Sequence, residues 1–337
     1  MKYLHQIDKK LLQNKICLLR VDFNVESVKD SLRLESSLPT IHFLLKNGAR
    51  VLLLSHRGRP QKIDKKLSLK IFVPFLEKNL EESVKFLPTI PVKLPEGKLM
   101  LLENLRFWPE EEKNNLGWAK KLSELGDIYI NDAFAVSHRE NASVTQLPKL
   151  LPSYAGLLLE NEIANLSKIM NQPQKPLVLI FGGAKIEDKL PAIKNLLPKA
   201  NKVLLGSSVV NNGAKFTVHD SEKVLKPEDW LTENGKALDI GLLTIQNYTG
   251  IIKKAKTVIW NGPVGLFENK KFQAGSAAIA KAIAKSDAFS VVGGGETTQL
   301  ILQLGLEKKI GFLSTGGGAM LEFLSGKNLP GIEALNT

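Results

Sequence analysis

Cysteine is nearly absent: Cys17 is the single one among 337 residues, so neither an intramolecular disulfide nor a cysteine-based zinc site can form. A reducing, intracellular setting is the expectation. Aromatic residues are sparse at 7%, and no basic stripe with interleaved rings marks a nucleic-acid-binding module. No apolar run approaches the roughly 18 residues that a membrane-spanning helix requires. Met1–Lys15 mixes charged and apolar residues without a continuous hydrophobic region, so no signal peptide is expected. Acidic residues are in deficit, 34 against 46 basic ones, for a formal net charge of +12. That excess admits nucleic acid, an anionic membrane surface, small polyanionic ligands or a merely solvated lysine-rich surface, and charge alone does not choose among them.

What is present is a regular alternation of short apolar runs with helix-like stretches. The runs Ile16–Val21, Arg50–Leu54, Leu99–Glu103 and Asp127–Ile130 read as strands of a first half. Leu177–Phe181, Lys202–Leu205, Thr257–Trp260, Phe289–Val292 and Gly311–Leu313 read as strands of a second half. Several are apolar at consecutive positions, the mark of parallel strands covered on both faces. Leu38–Lys46, Ser68–Asn79 and Phe272–Lys285 carry helical patterns, the first closing on Asn47-Gly48. The expected class is α/β, with two Rossmann-like, doubly wound parallel-sheet domains. Residues 1–152 form the expected N-terminal domain, with the tail 325–337 packing back on it. Leu151–Met170 reads as a long helix after Pro152, so residues 153–175 become an interdomain helix and linker. Residues 176–324 form the second domain.

Four strand ends of the second half run into glycine-rich or special turns. These are Gly182-Gly183-Ala184-Lys185, Asn261-Gly262-Pro263-Val264-Gly265, Gly293-Gly294-Gly295-Glu296-Thr297 and Gly316-Gly317-Gly318-Ala319. In a doubly wound sheet such ends converge on one edge, where main-chain amides and helix N-termini meet an anion. None matches Gly-x4-Gly-Lys-Ser/Thr or Gly-x-Gly-x-x-Gly. A single glycine turn is ordinarily just a tight turn; four in succession, with Lys185 and Lys189 nearby, point to phosphate binding. The first half places cationic groups instead. Arg20-Val21-Asp22-Phe23-Asn24, Ser55-His56-Arg57-Gly58-Arg59-Pro60, Glu103-Asn104-Leu105-Arg106-Phe107 and Asn131-Asp132-Ala133-Phe134, followed by His138-Arg139, all lie at strand ends. One such arginine is ordinarily a surface ion pair. Five together, with Arg33 just beyond, suit a carboxylate plus a phosphate.

In this order the strings resemble the phosphoglycerate kinase family from Arg20 to about Leu335. The resemblance implies that the first domain binds 3-phosphoglycerate or 1,3-bisphosphoglycerate through Asp22, Asn24, Arg33, His56, Arg59, Arg106 and Arg139. It implies that the second binds Mg-ATP or Mg-ADP through Gly183, Lys185, Lys189, Gly206, Asn261, Pro263, Glu268, Gly295, Glu296 and Thr297. Arg33, Lys185, Gly294 and Gly317 would attend the transferring phosphoryl group, and Glu296 would hold Mg2+. The implied enzyme is a cytoplasmic monomer that closes its domains for transfer, with small-molecule partners and neither nucleic acid nor membrane.

Two departures stand out. After Lys202–Leu205 the family carries a glycine-rich turn, further helix and a third strand. Here Gly206-Ser207-Ser208-Val209-Val210-Asn211-Asn212 runs almost directly to Lys215-Phe216, a shortfall of roughly 30 to 40 residues, about one crossover unit. A five-stranded second sheet is expected, with Lys202–Leu205 as its edge guarded by Lys199 and Lys202. The shortfall should also thin one wall of the nucleotide pocket. Glu296 stands where the family normally has aspartate. Together the departures motivate an alternative: a related nucleotide- or anion-binding protein with weakened turnover.

Overall fold

The structure is a computed structural model that describes residues 1–28, 31–212 and 222–336. Lys215 and Phe216 lie outside the described residues. The chain divides into two compact units, Met1–Ile163 with Asn328–Thr337, and Ala164–Lys327.

The first unit is built on six parallel strands, β1 (Ile16–Arg20), β2 (Arg50–Leu54), β3 (Val84–Leu87), β4 (Leu99–Leu102), β5 (Ile128–Asn131) and β6 (Ser153–Ala155), in the order β3-β4-β2-β1-β5-β6. Its helices are α1 (Ser31–Lys46), α2 (Val73–Leu80), the single turn α3 (Pro109–Glu112) and α4 (Leu116–Ser123). The central strands are buried at nearly every position because a parallel sheet has both of its faces covered by helices. Leu18, Leu52 and Leu101 are fully buried, each contributing about 1.5–3 kcal/mol of transfer free energy.

The stretch Leu151–Met170 is not one helix. Ser153–Ala155 extends the sheet against Tyr129–Asn131, and α5 begins only at Leu157, running to Asn171. The cap that sets this start comes from far away in sequence. Thr40 Oγ1 accepts from the Leu157 amide at 3.1 Å, while Asp132 Oδ1 accepts from Leu158 at 2.9 Å and Leu159 at 3.2 Å. Gly156 is required there, since a Cβ would lie 2.2 Å from Asp132 Oδ1. The division between the units falls inside α5. At the C-terminus, the Gly331 amide donates to Ser137 O at 2.8 Å, within the first unit.

The second unit holds β7 (Leu177–Phe181), β8 (Lys202–Leu205), β9 (Val224–Leu225), the antiparallel pair β10 (Trp230–Glu233) and β11 (Lys236–Ile240), then β12 (Thr257–Asn261), β13 (Phe289–Gly293) and β14 (Phe312–Leu313). Its main sheet has the order β14-β13-β12-β7-β8-β9. The expectation of five strands with β8 at the edge is therefore corrected. The two-residue β9 pairs parallel with Val203 and Leu204 of β8 and takes the edge position. Its reason is local: the Val203 amide donates to Lys223 O at 2.8 Å, and Lys202 Nζ donates to Glu222 O at 3.1 Å. Lys202 thus anchors the incoming strand instead of guarding an open edge. Lys199 Nζ donates to Met170 O. Helices α6 (Leu190–Leu196), α7 (Ser208–Asn212), α8 (Leu242–Lys253), α9 (Ala274–Lys285), α10 (Gly295–Gln303) and α11 (Gly317–Leu324) complete this unit, and α12 (Pro330–Glu333) belongs to the first. Among the described residues no helix is long and apolar enough to cross a membrane.

Candidate active site

In the first unit the C-terminal ends of β1, β2, β4 and β5 deliver a cluster of guanidinium groups around one buried imidazole. His56, 2% exposed, is held well below the usual histidine range. Burial is the main cause, followed by the fields of Arg20, Arg106, Arg139 and Arg33. Arg20 NH2 lies 3.2 Å from His56 Nδ1, and a guanidinium only donates, so Nδ1 accepts and the ring proton sits on Nε2. Asp22 Oδ1 is 3.9 Å from the same Nδ1, but a neutral ring makes that contact no ion pair.

Arg20 is itself pinned in the core. Its Nε donates to Ser143 Oγ at 2.9 Å, and that hydroxyl donates to Glu111 Oε1 at 2.6 Å. Arg33, on the first turn of α1, meets Asp22 Oδ2 at 3.2 Å and Asn24 O at 3.0 Å through NH1. Arg106 Nε meets Glu112 at 3.0 Å, and its NH1 donates to Gly58 O at 2.6 Å. Burial is the main reason that Arg106 is drawn down to about 10, with Arg139, Arg20 and Arg59 adding to it against the opposing pull of Glu112. Arg59 is exposed, Arg139 is half-buried, and neither has a carboxylate partner among the described residues.

Two of the expected ligand residues spend polar atoms on the loops that carry the arginines. Asn24 Oδ1 accepts from the Gly58 amide at 2.8 Å, and Asp22 Oδ1 accepts from the Asn24 amide at 3.1 Å. Asn104 ties the same loop to β4, accepting from Arg57 N at 3.1 Å and donating to Arg57 O at 2.7 Å. Arg57 is structural: its Nε and NH1 donate to Val25 O and Lys66 O at 2.9 and 2.6 Å. The result is a cationic hollow with five guanidiniums and few counter-charges, suited to a small multivalent anion.

The second unit solves the same problem with main chain. The turns after β7 and β12 pack back to back: the Gly183 amide donates to Pro263 O at 2.7 Å, and a Cβ at Gly262 would lie 2.3 Å from Gly182 O. Gly183, Gly262 and Gly294 adopt φ of +82°, +85° and +99°, the left-handed region open to glycine. Thr297, fully buried, accepts from the Gly262 amide at 2.9 Å and locks that turn to the start of α10. Trp260 Nε1 donates to Gly262 O at 2.8 Å from within the core. These turns surround a cavity of about 480 Å³ into which Lys185, Lys189, Asn261, Gly294, Gly295 and Glu296 project or border. Lys189 Nζ donates to Lys185 O at 2.9 Å. Burial chiefly lowers its affinity for a proton, with Lys185 adding to that, while Asp188, Glu296 and Glu187 oppose it. Glu296 is pushed the other way, upward, by burial and then by the charge of Glu268, with Lys189 opposing.

A second cavity of about 170 Å³ shares Gly183, Ala184 and Glu296 with the first and extends over Ala237, Leu238, Pro263 and Leu266, with Glu268 on its rim. Two expected residues border neither cavity. Gly206 packs behind it, where a Cβ would lie 2.9 Å from Val264 Cα, and Gly317 packs on Gly294 with a Cβ 3.2 Å from its Cα. Sequence reasoning counted Arg20 among the strand-end arginines but gave it no individual ligand role, and it passed over Ser207, Ser208 and Asn211 of the smaller cavity.

The comparisons with known proteins agree with one another. The profile of the family described as "Phosphoglycerate kinase" matches residues 7–215 and 208–327, its two parts meeting at the shortened segment. A phosphoglycerate kinase of Herpetosiphon aurantiacus is 41% identical over 379 aligned positions, covering 96% of both chains. One of Moorella thermoacetica is 39% identical, covering 96% of this chain and 97% of its own. Among solved structures, phosphoglycerate kinase from Pyrococcus horikoshii superposes with a TM-score of 0.88 at 31% identity, covering 100% of this chain and 98% of that one. The enzyme from Coxiella burnetii does so with a TM-score of 0.83 at 32% identity, covering 99% and 98%.

Proposed function

The chain belongs to the phosphoglycerate kinase family, and we propose that it carries out reversible phosphoryl transfer between 1,3-bisphosphoglycerate and ADP, giving 3-phosphoglycerate and ATP, a step of glycolysis and gluconeogenesis. In this reading the first unit holds the glycerate substrate and the second the nucleotide. The observation that carries it is the guanidinium cluster around neutral His56, where Arg59 and Arg139 have no carboxylate partner among the described residues.

In the ATP-consuming direction a carboxylate oxygen of 3-phosphoglycerate forms a bond to the γ-phosphorus, and the bond from that phosphorus to the β–γ bridging oxygen breaks. The nucleophile is already an anion and the leaving group departs as one, so no proton has to move. This accounts for a site rich in cations and amides and without a nucleophile–base pair. Neutral His56 donates from Nε2 to the anion and is not a base. Arg33 stabilises charge on the transferring group from the glycerate side, and Lys185 does so from the nucleotide side. Gly294 and Gly317 offer main-chain contact at the same place. Asp22 and Asn24 fix the arginine-bearing loops and present polar groups to the glycerate. Transfer requires both half-sites to act on one phosphoryl group, so domain closure is part of the proposal.

Magnesium fits this donor set as a companion of the nucleotide. No cluster of three or more potential metal-ligating side chains occurs among the described residues, and Mg2+ is commonly held by one or two carboxylates plus substrate phosphates. Glu296, with Glu268 near enough to raise its proton affinity, would be that carboxylate. The ion would supply charge neutralisation across the β- and γ-phosphates. We infer further a cytoplasmic monomer with no nucleic-acid or membrane partner.

A coupled assay with 3-phosphoglycerate and Mg-ATP tests the whole reading. Turnover by the wild type, abolished in Lys185→Ala, is the expected result. Nucleotide binding without wild-type turnover would overturn it in favour of a binding protein. Glu296→Gln should raise the magnesium concentration needed for half-maximal rate, and an unchanged titration removes Glu296 from its role.

A further inference from the structure

The smaller cavity of the second unit has an apolar lining of Ala237, Leu238, Pro263 and Leu266, the kind of surface that takes the face of a heterocycle. Part of its polar surface is committed to the fold. Asn211 Oδ1 accepts from the Ala237 amide at 2.9 Å and its Nδ2 donates to Ala237 O at 2.8 Å, so both ends of that amide serve to clamp α7 to β11. The Ser207 amide donates to Val264 O at 2.8 Å. Glu268 is exposed on the rim. One polar atom differs: Ser208 Oγ is buried and has no hydrogen-bond partner, and among the described residues it is the only such atom on this lining.

An unpartnered buried hydroxyl costs about 1–3 kcal/mol, and a bound group that supplies the missing bond recovers that cost. Serine rotates among three staggered wells, so the hydroxyl needs no backbone movement to reach into the cavity it lines. A hydroxyl both donates and accepts, and can therefore meet either kind of heteroatom on the edge of a base. We propose that Ser208 is a specificity-determining residue that hydrogen-bonds the edge of the nucleobase. This rests on the second unit's being the nucleotide site.

The test compares ADP with inorganic tripolyphosphate, which offers phosphates without a base, by titration calorimetry on wild type and Ser208→Ala. ADP affinity should fall about five- to ten-fold in the variant, the worth of one neutral hydrogen bond. Tripolyphosphate affinity should stay the same, the KM for 3-phosphoglycerate should not move, and the thermal midpoint should be equal or higher. Equal ADP affinity in the two proteins overturns the role of Ser208 while the nucleotide reading stands. A parallel loss for tripolyphosphate also overturns it, because the effect would then lie at the phosphates. Failure of the wild type to bind ADP at all would instead overturn the nucleotide reading.

Discussion

The two units present donors for an anion in opposite ways. The first gathers four arginines around a neutral histidine with Arg59 beside Arg106, so its binding potential is side-chain charge. The second aligns four strand-to-turn junctions so tightly that a methyl group at Gly182 would lie 2.0 Å from Pro263 O, and its binding potential is main-chain amide. Guanidiniums recognise a small substrate in which carboxylate and phosphate lie close together. Amides and helix N-termini follow a polyphosphate along its length, with an apolar slot at the end for a base. The difference also predicts distinct failures. Charge can be deleted from the first unit while the backbone persists, whereas in the second the backbone is itself the site.

The largest effect should come from Arg33→Ala, which removes the cation proposed to stabilise the transferring group. Comparable arginines are worth about 10³-fold or more in kcat, and a loss below ten-fold in the coupled assay would put Arg33 outside the transfer step. Next comes Gly262→Ala, where φ is +85° and the added Cβ would meet Gly182 O at 2.3 Å. It should lower the thermal midpoint and weaken ADP binding together, the signature of a site made of backbone. Retained ADP affinity in a folded Gly262→Ala protein would break the contrast.

The smallest effects are in pH dependence, and within the first unit they run in opposite senses. His56 is depressed well below 6.5, so it contributes stability above that pH that is lost as the unfolded state takes up a proton on acidification. Asp132 is raised from 3.8 to about 7 by burial, so the native state holds the extra proton and stability falls as pH rises through that window. Asp132→Asn keeps an acceptor for the Leu158 and Leu159 amides. Its thermal midpoint should gain on the wild type by at least ~2 °C between pH 5 and pH 7 and then level off. His56→Gln should show the reverse, losing less stability than the wild type as pH falls below 6.5.

How much was legible in the sequence follows the same division. Strands β2, β7 and β8 were readable to the residue, because continuous apolar runs that stop at a serine or a glycine leave little choice. The glycine strings likewise marked the strand-end turns of the second unit, since turns packed against one another at positive φ call for glycine. What escaped depended on partners distant in sequence. The start of α5 is set by Thr40 and Asp132, and three-residue β6 exists because Tyr129–Asn131 offers it a ladder. β9 is two residues long and carries no pattern of its own. The hairpin β10–β11 turns at Asn234-Gly235, both at positive φ, a signal that was present and passed over. Arg20 illustrates the limit most sharply: its role comes from Ser143, Glu111 and His56, brought together only by the fold.

The central claim, guanidiniums for the glycerate and amides for the nucleotide, is tested most directly by titrating three proteins with two ligands. Wild type, Arg139→Ala and Gly295→Ala are each titrated with 3-phosphoglycerate and with ADP. Arg139 has no carboxylate partner among the described residues, and a Cβ at Gly295 meets no protein atom within 4 Å, so both variants should fold. Arg139→Ala should lose about ten-fold or more in 3-phosphoglycerate affinity with ADP unchanged, the scale of a charge-assisted contact, and Gly295→Ala should do the opposite. Loss of both ligands in either variant, or of neither, would contradict the account.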